Sequence, residues 1–311
     1  MRASLIGAVR VLSVGSLLLL NNSHSATLDA ATVGNYPFVK NGLAAKPSDF
    51  PEVVAVEVDD VVRQVKRICT GVVVRDDVVI TAAHCAYGKI KPLRVISGTN
   101  AAVSATTPSQ QVLKVTSYKV MDPQATSAGR RLMGSDLMIL FLDGKLSSPV
   151  FPIAVPSLAA LTQAKALRIV GFGDDGKGGI GKKLFADVPL EVARCDQAHS
   201  VSGSCGDGEG FLKRADGKFD ACPGDSGGPA YVLNDDGKYR LVGLLSRSSS
   251  TVTRCGGGTI VTLLDGDRLN FLTKNGVAES TSRTPIRPSA PPPCIPPLCA
   301  FSSLNYRTTL Q

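Results

Sequence analysis

From Phe50 to Val120 the chain alternates between valine-dense runs and short polar breaks. "EVVAVEV", "TGVVVRDDVVITAA" and "QVLKVTSYKV" are interrupted by Gly, Asp-Asp or Pro. The same texture returns in "DLMILFL", "ALRIVGF", "YRLVGLL" and "GTIVTLL". β-Branched residues fit a pleated, half-buried surface, and the breakers between them favour turns. Many short strands without intervening amphipathic helices predict an all-β architecture, a barrel or a sandwich. One segment departs from this: "DGDRLNFLTKNG" predicts a helix opened by an Asp cap and closed by Gly276. After it, "TPIRPSAPPPCIPPLC" is too rich in proline to build a packed core and predicts an extended tail over 277–311. No internal repeat is visible.

The length of 311 residues, with 43% hydrophobic and 19% charged, suffices for one large or two small domains with a substantial core. The net charge of +8 is dispersed, the longest basic runs being pairs such as Arg130-Arg131 and Lys182-Lys183. Dispersed charge predicts an ordinary solvated surface and no nucleic-acid partner. At the start, Met1-Arg2 precede the apolar "LIGAVRVLSVGSLLLL", then "NNSHSA" supplies small residues before Ala26. Residues 1–25 thus resemble a secretory signal peptide. Arg10 leaves Val11 to Leu20 too short to span a bilayer, so no stable membrane span is expected. Export to an extracellular or periplasmic, oxidising compartment makes disulfides the first reading of the eight cysteines, and no zinc-type Cys-x-x-Cys pair occurs.

The chemistry concentrates in "ACPGDSGGPA", residues 221–230. A serine hydroxyl is a weak nucleophile unless a base takes its proton and donors hold the resulting oxyanion. Gly224 and Gly227 around Asp225-Ser226 allow a tight turn that aims consecutive N–H groups at one point, although such a turn alone is more often structural. With residues 1–25 removed, two histidines remain as candidate bases: His84 in "TAAHC", directly after a Val-rich run, and His199 in "CDQAHSVSGSC".

"TAAHC", "GDSGGP" and "SDLMILFL" together resemble the trypsin and chymotrypsin family of serine endopeptidases. The order His84, Asp136, Ser226 is the order of that family's catalytic residues, and the resemblance covers about residues 39–276. It implies two antiparallel six-stranded β-barrels packed together, with a C-terminal helix. It implies Ser226 as nucleophile, His84 as base and then acid, and Asp136 as the residue orienting the imidazole, with the N–H groups of Gly224 and Ser226 as oxyanion hole. It further implies the disulfides Cys69–Cys85 and Cys222–Cys255, with Cys195–Cys205 and Cys294–Cys299 as two small loops. Residues 26–38 become a propeptide whose removal exposes Val39 to pair with Asp225. The domain is then 39–276.

Asp220 stands where trypsin-like members carry an acid at the floor of the substrate pocket, implying cleavage after Arg or Lys. Ser246, Ser248 and Thr259 are implied as further substrate-binding residues. Ser248 and Thr259 replace glycines usual in the family, and Arg247 replaces a usual tryptophan. Bulk at Ser248 and Thr259 narrows the expected pocket, and Arg247 is expected to repel cations or recruit acids. The implied partners are protein or peptide substrates and protein inhibitors of proteases. No cofactor and no metal is expected, and the chain is expected to act as a monomer. The competing reading is a catalytically silent binding module on the same fold.

Overall fold

The computed structural model describes residues 39–86, 90–102, 110–123, 133–147, 149, 158–177, 179–195, 205–212, 219–234, 236–249 and 255–277. The expected signal peptide, propeptide and tail, His199, Cys294 and Cys299 lie outside them. In chain order the strands are β1 (Leu43–Ala44), β2 (Val53–Asp60), β3 (Val65–Arg75), β4 (Val78–Thr81), β5 (Ile90–Ile96), β6 (Val112–Val120) and β7 (Met138–Leu142). After a short helix α1 (Leu158–Gln163) come β8 (Ala166–Gly171), β9 (Leu184–Val192), β10 (Glu209–Leu212), β11 (Pro229–Leu233), β12 (Tyr239–Ser248) and β13 (Thr259–Leu263), then helix α2 (Gly266–Lys274).

The first barrel closes in the order β2-β3-β4-β7-β6-β5. The second runs β9-β10-β13-β12-β11-β8 and closes through the β8–β9 pairing, with β1 added beside β9. All these pairings are antiparallel, as the resemblance implied. The valine runs explain the first barrel: Val54, Val56, Val73 and Val79 are buried with Met138 and Leu140 in its core. The second is filled by Leu167, Ile169, Val188, Val242 and Val261. Closure pairs the strands of each ring on both sides and gives each barrel an interior to fill.

Helix α2 differs in detail from the expected capping. The Asp265 carboxylate makes no cap bond to the backbone; it accepts Arg268 Nη2 at 2.7 Å and pairs with Arg194. At the other end Gly276 (φ 69°) turns the chain, with Gly276 N donating to Thr273 O and Val277 N to Leu272 O. That pair of bonds is the Schellman closure glycine permits.

Strand register decides where chemistry can sit. β4 and β7 pair with Thr81 opposite Met138. His84 lies in the 3-10 turn Ala83–Ala86, three residues past Thr81, and Asp136 two before Met138. The antiparallel pairing therefore brings both to one end of the first barrel.

A candidate catalytic cleft between the barrels

The segment carrying Ser226 belongs to the second barrel, between β10 and β11, and is stitched to the first by Thr70 on β3. Thr70 N donates to Ser226 O at 2.8 Å and Thr70 Oγ1 to Gly224 O at 2.8 Å. Gly227 has φ 81°, and a Cβ there would lie 2.0 Å from Thr81 Oγ1 and 2.4 Å from Thr70 O. Only glycine permits both that dihedral and that approach. With the carbonyls of Gly224 and Ser226 held by Thr70, the N–H groups of Gly224 and Ser226 donate to no acceptor among the described residues.

His84 Nδ1 lies 2.8 Å from Asp136 Oδ2, and His84 N donates to Asp136 Oδ1 at 2.9 Å. Ser246 Oγ donates to Asp136 Oδ2 at 2.5 Å. Asp136 is 1% exposed, so its charge needs these donors. Burial pushes the Asp136 carboxyl up, but the charge and hydrogen bonds of His84, with that of Ser246, prevail and hold it below the usual carboxylate value. For His84, burial opposes the imidazolium, the Asp136 carboxylate outweighs it, and Arg247 subtracts part of the gain; the net direction is upward from 6.5. His84 and Ser226 together line two adjoining cavities, of about 270 Å³ and about 460 Å³. The smaller runs along Ala221, Cys222, Ser246, Arg247, Ser248 and Thr259. The larger lies toward the Cys69–Cys85 disulfide and Ile180.

Disulfides join Cys69 to Cys85, Cys195 to Cys205 and Cys222 to Cys255, as expected. The third ties the residues preceding Ser226 to the loop before β13.

Asp220 is wholly buried behind the smaller cavity. Its Oδ1 accepts Ala221 N at 3.0 Å and the Thr259 hydroxyl, and its Oδ2 accepts Gly256 N at 2.8 Å and Gly258 N at 2.9 Å. Four donors occupy the acceptor sites of two carboxylate oxygens. Thr259, not Asp220, faces the cavity.

Asp225 is also wholly buried; Gly173 N donates to its Oδ1 at 2.7 Å and Cys222 N to its Oδ2 at 2.8 Å. Burial outweighs these bonds and raises its carboxyl to about 7. Val39 is buried among Leu161, Leu167 and Ile169.

Arg247, expected to repel cations or recruit acids, has an acid partner within the fold. Its Nη1 and Nη2 donate to Glu209 Oε1 and Oε2 at 2.6 and 2.8 Å. Glu209 had no sequence signal: in "GDGEGFL" it reads as a loop acid between glycines. Among the described residues no cluster of three or more His, Cys, Asp or Glu is placed to hold a metal ion.

Two closed antiparallel barrels, with a half-buried histidine on a buried aspartate and a serine in a glycine-lined turn at their junction, are the architecture of double-barrel serine proteases. The comparisons agree. The profile described as Trypsin matches residues 39–263. A trypsin-like protease of Streptomyces glaucescens is 32% identical over 252 residues, covering 79% of this chain and 82% of that protein. Trypsin zeta of Drosophila melanogaster is 29% identical over 197 residues, 58% of this chain and 65% of that one. Human granzyme M is 29% identical over 199 residues, 61% and 72% respectively. The chain belongs to the trypsin family.

Proposed function

We propose that the protein is a secreted serine endopeptidase working through an acyl-enzyme. Ser226 Oγ attacks the peptide carbonyl as His84 takes its proton. His84 then gives that proton to the leaving amine, and a water activated by the same imidazole releases the acid product. Asp136 holds the imidazole with Nδ1 as donor and stabilises it when charged. The N–H groups of Gly224 and Ser226 receive the oxyanion. The observation that carries this reading is the 2.8 Å contact of His84 Nδ1 with buried Asp136 beside a cavity shared with Ser226.

Ser226→Ala and His84→Ala should each remove nearly all hydrolysis of an unfolded protein substrate, on the order of 10⁴-fold or more, and the double variant should lose little beyond either. A folded His84→Ala protein that keeps a tenth of the activity would remove His84 as the base, whereas a matured, folded parent that hydrolyses nothing would support the rival reading, a catalytically silent trypsin-fold binding module.

For the residue preceding the scissile bond, Asp220 supports Arg or Lys. The four donors on its carboxylate, Thr259 among them, favour a second reading. A substrate cation would have to displace the Thr259 hydroxyl to reach the carboxylate, whereas a small uncharged side chain would not. Maturation to a free Val39 paired with Asp225, export, and a monomeric state belong to the same proposal. The family supports the first two, since trypsins are characteristically secreted as longer precursors.

A further inference from the structure

We infer that Glu209 and Arg247 form a positioning pair for the His84–Asp136 couple, fixing the turn that presents Asp136 and keeping the cationic wall beside the imidazole compensated. The inference rests on the reading of His84 as the base.

Glu209 on β10 is 0% exposed, and its two oxygens take four donors from three separate segments. Oε1 accepts Gly134 N at 2.9 Å and Arg247 Nη1 at 2.6 Å; Oε2 accepts Gly206 N at 2.8 Å and Arg247 Nη2 at 2.8 Å. Gly134 lies two residues before Asp136, Gly206 directly follows the Cys195–Cys205 disulfide, and Arg247 stands on β12 next to Ser246. Arg247 Nη1 also reaches Ser246 Oγ at 3.4 Å, and that hydroxyl donates to Asp136. One carboxylate thus ties the Asp136 turn to the strand that braces Asp136 from its other side. The turn is docked tightly: Gly134 has φ 67°, its carbonyl accepts Arg268 Nη1 at 3.2 Å, and a Cβ on it would stand 2.2 Å from Asp207 O.

A bidentate pair with its carboxylate fully buried need not add stability, because its desolvation cost can match its attraction. Its effect on the imidazole is separable from its mechanical one. Arg247 disfavours the imidazolium, and the Glu209 carboxylate bonded to it through both oxygens acts in the opposite sense. Asp136 bonds His84 directly; Lys66 and Arg67 on β3, bonded to Glu57 and Asp60 on β2, line the larger cavity with it; and Asp220 and Asp225 lie buried in the segment that carries Ser226. These are common to every variant below.

The test is the pH profile of kcat/KM for Glu209→Gln, Arg247→Gln and the double variant in the matured full chain. Alongside it, the His84 imidazole is titrated by NMR in a Ser226→Ala background, with His199→Gln to assign the signals. Glu209→Gln leaves Arg247 uncompensated and should move the His84 titration and the acid limb down, Arg247→Gln should move both up, each by about half a pH unit, and the double variant should return close to the parent. Loss of the turn's anchor should lower kcat on the order of tenfold to a hundredfold in Glu209→Gln with little change in KM. Single variants whose titrations stay put, or move the same way, would reduce the pair to a structural strut. Should Glu209→Gln fail to fold, Arg247→Gln decides alone, and no upward shift there overturns the inference. The NMR arm needs no activity, so failure of the protease reading remains distinguishable.

Discussion

At the scale of single residues, the substrate pocket turns on two side chains, Asp220 and Thr259. A carboxylate already holding three N–H groups and a hydroxyl acts first as the knot of the loop before β13. Asp220→Ser should therefore lower stability by about 1–3 kcal/mol, since buried donors lose their acceptor; a urea unfolding midpoint reads this. Thr259→Gly removes the hydroxyl between cavity and carboxylate. It should raise kcat/KM for Arg and Lys substrates relative to Ala on the order of tenfold or more, because a cation entering the pocket then finds a vacated acceptor. A parent enzyme that already prefers Arg by orders of magnitude, with Thr259→Gly no better, would restore Asp220 to the simple role that sequence position suggests. His84 carries its own pH statement. Its folded value lies above the unfolded one, so the stabilisation from Asp136 is complete below pH 6.5 and is lost as pH rises through the raised value.

At the scale of elements, the turn around Ser226 works because glycines let the second barrel touch the first. Gly227→Ala should cost at least about 3 kcal/mol, as a methyl group would meet Thr81 Oγ1 and Thr70 O at a dihedral alanine resists. Thermal unfolding would show it, and a shift of less than a degree would mean the two barrels part there at no cost. Dense apolar runs, most of them rich in valine, made β2, β3, β4, β6, β7, β8, β12 and β13 legible, and β2, β4 and β13 are buried almost residue by residue. β5 and β9 carry Pro92 and Pro189 and polar outer faces, so their runs fell below the pattern; β10, only four residues long, owes its existence to neighbours on both sides. His84, Asp136 and Ser226 were singled out through "TAAHC", "SDLMILFL" and "GDSGGP", the strings that carry the family resemblance, and the pairing of β4 with β7 sets the first two side by side. Glu209 was not, since its partners Gly134, Gly206 and Arg247 meet only after both barrels close.

At the scale of the whole molecule, the buried Asp225 makes stability depend on pH. Its carboxyl, at about 7 in this fold against 3.8 for the free side chain, keeps a proton that the unfolded chain gives up. Stability of the chain before cleavage at Val39 should therefore fall as pH rises from about 4 to about 7. Asp225→Asn should flatten that slope in a calorimetric pH series. In the matured form a Val39 ammonium paired with Asp225 should abolish the slope by holding the carboxylate charged; an active form whose first residue is Ala26 would contradict this route. The proposed activity of the whole molecule depends on Ser226 acting as a nucleophile with His84 as its base. The measurement that tests it most directly is mass spectrometry of the matured protein after reaction with a peptidyl phosphonate or sulfonyl fluoride, followed by peptide mapping. The account predicts one adduct per molecule, on the peptide containing Ser226, absent in Ser226→Ala and nearly absent in His84→Ala. Hydrolysis of protein substrate that persists in a preparation with no adduct at Ser226, or labelling at equal rate in His84→Ala, would contradict it.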